Sequence, residues 1–155
     1  MILGLIEHDR GKLNAQSYEM LTLARGLAEE SSVPFHAVLI GDSAEPLAVG
    51  LGAYGVDVVY LAQHDGLAEY APAAWAQCVV QVAEETRPSA ILATGADLGN
   101  EVMAHIAARM EQPMAANVTA VIPGDDYQIT RVRWGGSLLE EAWLKGSPKL
   151  MTVAP

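Results

Sequence analysis

Residues 88–110, PSAILATGADLGNEVMAHIAARM, contain the pattern that decides the fold class. Pro88 precedes the apolar run Ala90–Thr94, which is typical of a strand buried on both faces. The glycine-containing loop 95–99 follows, and apolar residues then recur at helical spacing, namely Val102, Met103, Ile106, Ala107 and Met110. A buried strand that leads through a short loop into an amphipathic helix is the repeating unit of a parallel α/β sheet.

The same alternation of strands and helices runs along the rest of the chain. Further strands are predicted at residues 2–6, 35–40, 56–62, 115–122 and 149–153. The helices between them are predicted after the capping residue Asn14, at Glu45–Tyr54 with Gly55 as a stop signal, and from Pro72. The sequence therefore predicts a single domain over residues 1–155, a three-layer, Rossmann-like α/β fold with a mostly parallel sheet and flanking helices.

The C-terminal third departs from this alternation. Gly124-Asp125-Asp126 is typical of a hairpin turn into a strand at 127–133, which predicts an antiparallel hairpin added to the parallel sheet. Gly135-Gly136 breaks that strand. Ser137-Leu138-Leu139-Glu140 matches a capping box and predicts a short helix that ends near Gly146.

Composition excludes several classes of protein. Lys and Arg number 9 and Asp and Glu 19, a net charge of −10 that disfavours binding to nucleic acid or to an anionic membrane surface. The single cysteine, Cys78, excludes an internal disulfide, and we expect it to be a buried, inert thiol. Glu7 interrupts the apolar N-terminus, so no signal peptide or membrane insertion is predicted, and the expected location is the cytoplasm, or the mitochondrial matrix in a eukaryote.

Ligands of open α/β sheets usually bind beyond the carboxyl ends of the strands. The residues predicted at that edge form a candidate strand-rim cleft, Glu7, His8, Gly41, Asp42, Thr94 and Gly95. Their glycines allow close approach of a ligand to the backbone, although loops between strands and helices need Gly and Asp for turn geometry alone.

No catalytic or metal-binding residue is predicted. The four histidines have no metal-ligand spacing, and the cluster Glu7-His8-Asp9 is explained most simply as a solvated hairpin. No dinucleotide fingerprint or P-loop is present. Trp134, beside Gly135-Gly136, is predicted either to anchor an interface or to pack in the core next to a turn.

The order and spacing of several strings resemble the N-terminal domain of the electron transfer flavoprotein alpha subunit, or of a divergent alpha-related protein. These strings extend over essentially the whole chain. They are Ile6-Glu7-His8 with Gly11-Lys12-Leu13, Ala24-Arg25-Gly26-Leu27, His36–Gly41, Gly99-Asn100-Glu101 with Ile106–Arg109, Ala116–Val121, Thr130-Arg131 with Gly135-Gly136, and Met151–Pro155. Asn100 and Glu101 stand where the family commonly has Arg and Asp.

This resemblance implies a role in electron transport. In the family, electrons pass from dehydrogenases through FAD to a respiratory acceptor, and the FAD lies mostly in a second, C-terminal domain that this sequence does not contain. The resemblance therefore implies an electron carrier subunit rather than an enzyme, with no cofactor on this domain alone. It also implies a heterodimer with the beta subunit, or a homodimer of the isolated domain.

Two alternatives come from other functional classes. The first is a stand-alone adenine-nucleotide-binding module like the universal stress proteins, because the fold is similar to that of the adenine nucleotide alpha hydrolases. However, the loop Gly95–Asn100 lacks the Gly-Ser or Gly-Thr ending of their phosphate loop, and Asp97 opposes phosphate. The second is a hydrolase or lyase that uses Asp42, Asp97 or Glu7, for which no nucleophile next to a base is evident.

Overall fold

One eight-stranded sheet organises the chain, and the computed structural model describes all of its residues, 1–155. The strands of this sheet are β1 (Ile2–Leu5), β4 (Phe35–Ile40), β5 (Val58–Ala62), β6 (Ala90–Thr94), β7 (Met114–Ile122), β8 (Tyr127–Arg133), β9 (Leu138–Leu144) and β10 (Lys149–Val153). Two short strands, β2 (His8–Asp9) and β3 (Lys12–Leu13), form a separate hairpin. The helices are α1 (Ser17–Ser31), α2 (Glu45–Leu51), α3 (Pro72–Thr86) and α4 (Asp97–Met110).

The strand order places a crevice at the centre of the sheet. The order is β5-β4-β1-β6-β10-β7-β8-β9, and every pair from β5 to β7 is parallel. From β1 the chain builds outwards through β4 to β5 and then returns to the other side of β1 with β6. The connections therefore diverge between β1 and β6, and in open α/β sheets such a switch point leaves room for a ligand at the carboxyl ends of the strands.

Two apolar cores lie on opposite faces of the sheet. Successive strand residues alternate between them: Ala90 and Leu92 join the core beneath α1 and α2, whereas Ile91 and Ala93 join the core beneath α3 and α4. This alternation explains the continuous apolar runs, since a strand covered on both faces has no polar side. The predicted three-layer α/β fold with a mostly parallel sheet is confirmed.

Strands β7, β8 and β9 form an antiparallel extension of the sheet, and the predicted helix after Ser137 is wrong. Residues 134–136 form a turn, and β9 pairs antiparallel with β8 from Leu138↔Arg133 to Leu144↔Tyr127. The turn places Trp134, Gly135 and Gly136 at positive φ. Residues 138–144 form a strand and not the helix that the capping box predicts, because β8 supplies backbone hydrogen-bond partners along the whole of β9. Arg131 also binds Glu140 across the pair at 2.9 Å.

No helix of the chain combines the length and the apolar composition needed to cross a bilayer.

Candidate functional site

The rim residues predicted from the sequence lie at the carboxyl ends of three neighbouring strands. Glu7 and His8 follow β1, and Gly41 and Asp42 follow β4. Thr94 ends β6, and Gly95 follows it. Gly95 is hydrogen-bonded through its backbone N–H to Val153 of β10, and the other five residues divide into two groups. His8, Gly41 and Asp42 line an open cleft, whereas Glu7 and Thr94 are buried at the N-terminal end of α4.

Glu7 is a buried carboxylate, so its predicted place in a solvated hairpin is wrong. Its side chain is only 1% exposed, and its Oε2 accepts a hydrogen bond from Asn14 at 3.2 Å. Its Oε1 lies near the backbone N–H of Gly99 but makes no hydrogen bond of regular geometry. Burial raises the pKa of Glu7, Asn14 and the Gly99 backbone oppose that rise, and Asp97 adds to it. Glu7 is buried because it follows β1 beneath the N-terminal turn of α4, where its Oε1 lies against Gly99.

His8 holds the β2–β3 hairpin against the sheet. Its Nε2 lies 2.7 Å from the carbonyl oxygen of Ile40, and its Nδ1 accepts from the backbone N–H of Gly11 at 3.3 Å. One nitrogen must donate and the other accept, which assigns the neutral tautomer with the proton on Nε2. Both ring nitrogens are used by the fold, and this leaves no free nitrogen for general acid or base chemistry. In the cluster Glu7-His8-Asp9, only Asp9 is exposed to solvent, so the prediction of a solvated hairpin holds for Asp9 alone.

The cleft beside His8 has aromatic and apolar walls and an acidic mouth. It encloses about 620 Å³. The Trp75 ring stacks on His8 at 6.1 Å between centroids, and Tyr70 meets Trp75 edge-on at 5.3 Å. Burial raises the pKa of Tyr70, as does its hydrogen bond to Glu101 at 2.9 Å. The sequence did not identify either ring as a cleft residue, because Trp75 lies within the helix predicted from Pro72 and Tyr70 lies in the loop before it.

A polar network that sequence reasoning also missed joins α4 to the neighbouring strands. The hydroxyl of Thr152 donates to Asn100 Oδ1 at 2.7 Å and accepts from the Asn117 backbone at 3.1 Å. Asn117 has φ of 58°, which asparagine tolerates better than most residues. Asn100 therefore helps to fix α4 on β10. Only the unusual position of a Thr in the middle of an apolar strand could have pointed to this network.

The remaining candidates for chemistry are dispersed. No group of three or more His, Cys, Asp or Glu side chains could hold a metal ion. Cys78 is half-buried beside the core under α3, and burial raises the pKa of its thiol, which disfavours the reactive thiolate. Asp42 and Asp97 are exposed, and Glu7 is buried at the N-terminal end of α4. None of these groups is hydrogen-bonded to a nucleophile.

The antiparallel extension carries an exposed apolar surface at the other end of the sheet. We define the extension face as Ile122, Val132, Leu139 and Trp143, which the register places on one side of β7–β9. Leu139 is 72% exposed and Trp143 65% exposed. Trp134, in the adjoining turn, is 80% exposed, so it is not a core residue. A cluster of large apolar side chains in water is unusual for a monomer and is typical of an interaction surface.

Comparison with known proteins assigns the family. The model of the electron transfer flavoprotein domain matches residues 2–155. The chain belongs to the electron transfer flavoprotein domain family. The electron transfer flavoprotein alpha subunit of Thermoanaerobacterium thermosaccharolyticum is 30% identical over 152 residues, which are 96% of this chain and 46% of that protein.

Other relatives carry related names. Protein FixB of Bradyrhizobium diazoefficiens is 26% identical over 156 residues, covering 97% of this chain and 42% of its own length. The acryloyl-CoA reductase electron transfer subunit beta of Anaerotignum propionicum is 31% identical over 113 residues, 73% of this chain and 31% of that protein. The resemblance to electron transfer flavoprotein alpha subunits is confirmed. The chain spans less than half the length of the relatives it matches.

The rim of this family member does not suit the pyrophosphate of a flavin dinucleotide. Pyrophosphate is bound by backbone N–H groups at a helix N-terminus and by basic side chains. Here the N-terminal turn of α4 contains Asp97 and is faced by the carboxylate of Glu7. The neighbouring cleft presents Asp9, Asp42 and Glu69, with Arg10 as its only Arg or Lys side chain. The residues of this chain therefore do not form a FAD site at the rim.

Proposed function

We propose that this chain is the subunit-contact domain of an electron transfer flavoprotein of the alpha type, and that it packs against a beta-type subunit through the extension face. The family assignment supports an electron-transfer role, and the observation that carries the contact is the exposed apolar surface on β7–β9. In this proposal the chain is a carrier component rather than a catalyst. It supports transfer of electrons from dehydrogenases through FAD to a respiratory acceptor.

The character of the surface supports a protein partner. Trp143, Leu139 and Ile122 offer large apolar side chains on a rigid, hydrogen-bonded sheet, and buried aromatic anchors dominate the energy of protein interfaces. Leu144 and Ile129, on the opposite side of the same strands, are buried in the core. The extension is therefore held in place from behind, and this lowers the entropic cost of docking.

FAD, in this proposal, is held by a part of the complete subunit outside this sequence. The acidic character of the rim supports that division, since Glu7 and Asp97 stand where phosphate groups would need donors. This chain would supply the scaffold and the interface, while the flavin supplies the redox chemistry.

The test of the contact is binding of a purified beta-type subunit, measured by titration calorimetry. Trp143→Ala and Leu139→Ala are each expected to weaken Kd by about tenfold or more, because each removes a central apolar anchor. Val49→Ala is the matched control, since Val49 is 91% exposed on α2 at the other end of the sheet. Equal affinities for all three variants would exclude the extension face as the contact.

The flavin arm of the test uses absorbance. After FAD is added and the free flavin is removed by gel filtration, the complex of this chain with the beta-type subunit should be colourless. A complex that also contains the C-terminal half of an alpha subunit should be yellow. A chain that retains FAD by itself after gel filtration would contradict the proposed division of roles.

A further inference from the structure

We propose that the groove between α1 and β7 is a docking site for an extended segment of a different protein, one that has apolar residues in its centre and Lys or Arg at its ends. This contact goes beyond the proposed contact through the extension face. Val121 of β7 packs against the core beneath α1, whereas its neighbour Ile122 belongs to the extension face. The two surfaces therefore lie on opposite sides of one strand and can be tested separately.

Part of β7 has a free backbone edge. On one side, β8 pairs with it as far as Ile122. On the other side, β10 pairs with it only as far as Val118, whose carbonyl oxygen accepts from the N–H of Ala154. Residues 119–122 therefore have no neighbouring strand on that side, and alternate residues direct their N–H and C=O groups away from β8. A free edge of this kind accepts an additional strand.

The groove beside this edge has room for an extended segment. It encloses about 600 Å³ between α1 and residues 119–121. Its accessible apolar lining consists of the half-buried Leu23 and Val121 and the exposed Ala120 and Pro155. The free edge is about 13 Å long, which matches about four residues of an added strand. Apolar side chains of that strand can be buried against the lining.

Gly26 leaves α1 open to close approach. It lies on the exposed side of the helix, and no atom of the chain lies within 4 Å of the position that a Cβ would take there. Glycine weakens a helix, and here no contact within the chain requires it. Because Gly26 lines the groove, an occupant from outside the chain can approach the helix backbone at this point.

Charge determines the ends of the occupant. Glu19 and Glu30 line the groove, both are exposed, and neither has an ion-pair partner within 4.0 Å. No Lys or Arg lines the groove, so basic ends are favoured. The edge strands of this chain do not offer them, since β5 has no basic residue and β9 contains Glu140 and Glu141. A second copy is therefore a poor fit, and the partner is a different protein.

Three short peptides test the chemistry of the occupant in NMR titrations of the whole chain. Acetyl-Lys-Val-Thr-Val-Lys-amide has the expected pattern and should shift the backbone amide signals of residues 119–122 saturably. Acetyl-Glu-Val-Thr-Val-Glu-amide differs only in the sign of its end charges and should bind about tenfold more weakly. Methylation of the central backbone nitrogens of the Lys peptide should weaken it at least about tenfold, because it prevents pairing with β7.

Variants of the chain test the place of binding. Gly26→Leu fills the groove and should weaken the Lys peptide at least about tenfold, whereas the control Gly50→Leu adds the same side chain at an exposed, open position on α2. Glu19→Gln combined with Glu30→Gln should weaken the peptide about threefold, and Glu84→Gln on α3 should not. The thermal midpoint of each variant establishes that it is folded.

Three results would overturn the proposal. The first is the absence of saturable shifts at residues 119–122 with the Lys peptide. The second is binding that the Glu peptide or the methylated peptide reproduces equally, or that Gly26→Leu leaves unchanged. The third is a dependence of these signals on protein concentration without peptide in the Trp143→Ala chain, which would place a second copy in the groove. Trp143→Ala should bind the Lys peptide as tightly as the wild-type chain, so failure of the extension-face contact is seen independently.

Discussion

Gly99 occupies a position where the backbone of α4 touches the end of β6. A Cβ atom at this position would contact the carbonyl oxygen of Thr94 and Oε1 of Glu7. Glycine is therefore required for close approach, although it lowers helix stability in an exposed helix by about 1 kcal/mol relative to alanine. At Gly26 in α1, by contrast, nothing lies within 4 Å of the added atom.

This contrast gives two predictions of opposite sign. Gly99→Ala should reduce the free energy of unfolding by about 1–3 kcal/mol, since the helix must move away from the strand. Gly26→Ala should increase it by about 0.5–1 kcal/mol through the gain in helix propensity alone. Urea unfolding of both variants checks this pair, and a stabilising Gly99→Ala would show that α4 does not pack closely on β6.

Glu7 makes stability depend on pH. Because burial raises its pKa in the folded state, the folded chain holds a proton more tightly than the unfolded chain. This contribution is present in full below the unfolded pKa, near 4.5, and is lost as pH rises through the raised folded pKa.

Glu7→Gln removes that titration while keeping an acceptor for Asn14. We expect its thermal midpoint to exceed that of the wild-type chain at pH 8 by a few degrees, roughly 2–4 °C per kcal/mol, and the difference to shrink towards pH 4. Exposed Glu30 supplies the control Glu30→Gln. A Glu7→Gln protein that is less stable than the wild-type chain at pH 8, by a margin that disappears towards pH 4, would mean that the charged carboxylate stabilises the N-terminal end of α4.

At the scale of elements, Lys149 ties the antiparallel extension to the parallel sheet. It begins β10, is 7% exposed, and donates from Nζ to the carbonyl oxygens of Asp125, at 2.7 Å, and Gly146. The same ammonium lies 5.5 Å from the centre of the Tyr127 ring. The turns before β8 and before β10 are thus held by one side chain.

Lys149→Met should destabilise the chain by about 2–3 kcal/mol, because it leaves two carbonyl groups without their charged donor. Amide hydrogen exchange should accelerate first in the two turns, at residues 124–127 and 145–148. Lys145→Met provides the control, since Lys145 is an exposed lysine in the second turn. Uniform acceleration over the whole chain would indicate a global role for Lys149 instead of a local one.

The success of sequence prediction also differs between elements. The central parallel strands β1 and β6 are identified by their apolar runs, because both of their faces are covered. Strand β9 carries no such run. Leu139, Glu141 and Trp143 face outwards on it, and only its pairing with β8 makes it a strand. The sequence of residues 138–144 therefore does not predict β9 by itself, because its strand conformation depends on pairing with β8.

The same reason limits prediction of the rim. The sequence identifies which residues end the strands, so Glu7, His8, Asp42 and Thr94 are correctly expected at one edge of the sheet. It does not show that both ring nitrogens of His8 form hydrogen bonds within the fold. Nor does it show that the Tyr70 hydroxyl donates to Glu101, which is 31 residues away along the chain. Those contacts depend on how loops fold over the sheet, and loops have no periodicity to read.

For the whole molecule, charge and apolar surface oppose one another. The net charge of −10 keeps copies of the chain apart, whereas the extension face and the open edge of β9 favour self-association. Salt screens the repulsion between surface charges and leaves apolar contacts intact, since the screening length falls from about 30 Å at 0.01 M to about 8 Å at 0.15 M.

We therefore expect the isolated chain to form a concentration-dependent dimer that becomes stronger as salt increases, in sedimentation velocity at low and at physiological ionic strength. Trp143→Ala should restore the monomer at both, because it removes the largest exposed side chain of the extension face, while Val49→Ala should not. Dissociation of the dimer by salt would instead indicate an interface held by ion pairs. A chain that stays monomeric at all concentrations would mean that the charge of the molecule outweighs its exposed apolar edge.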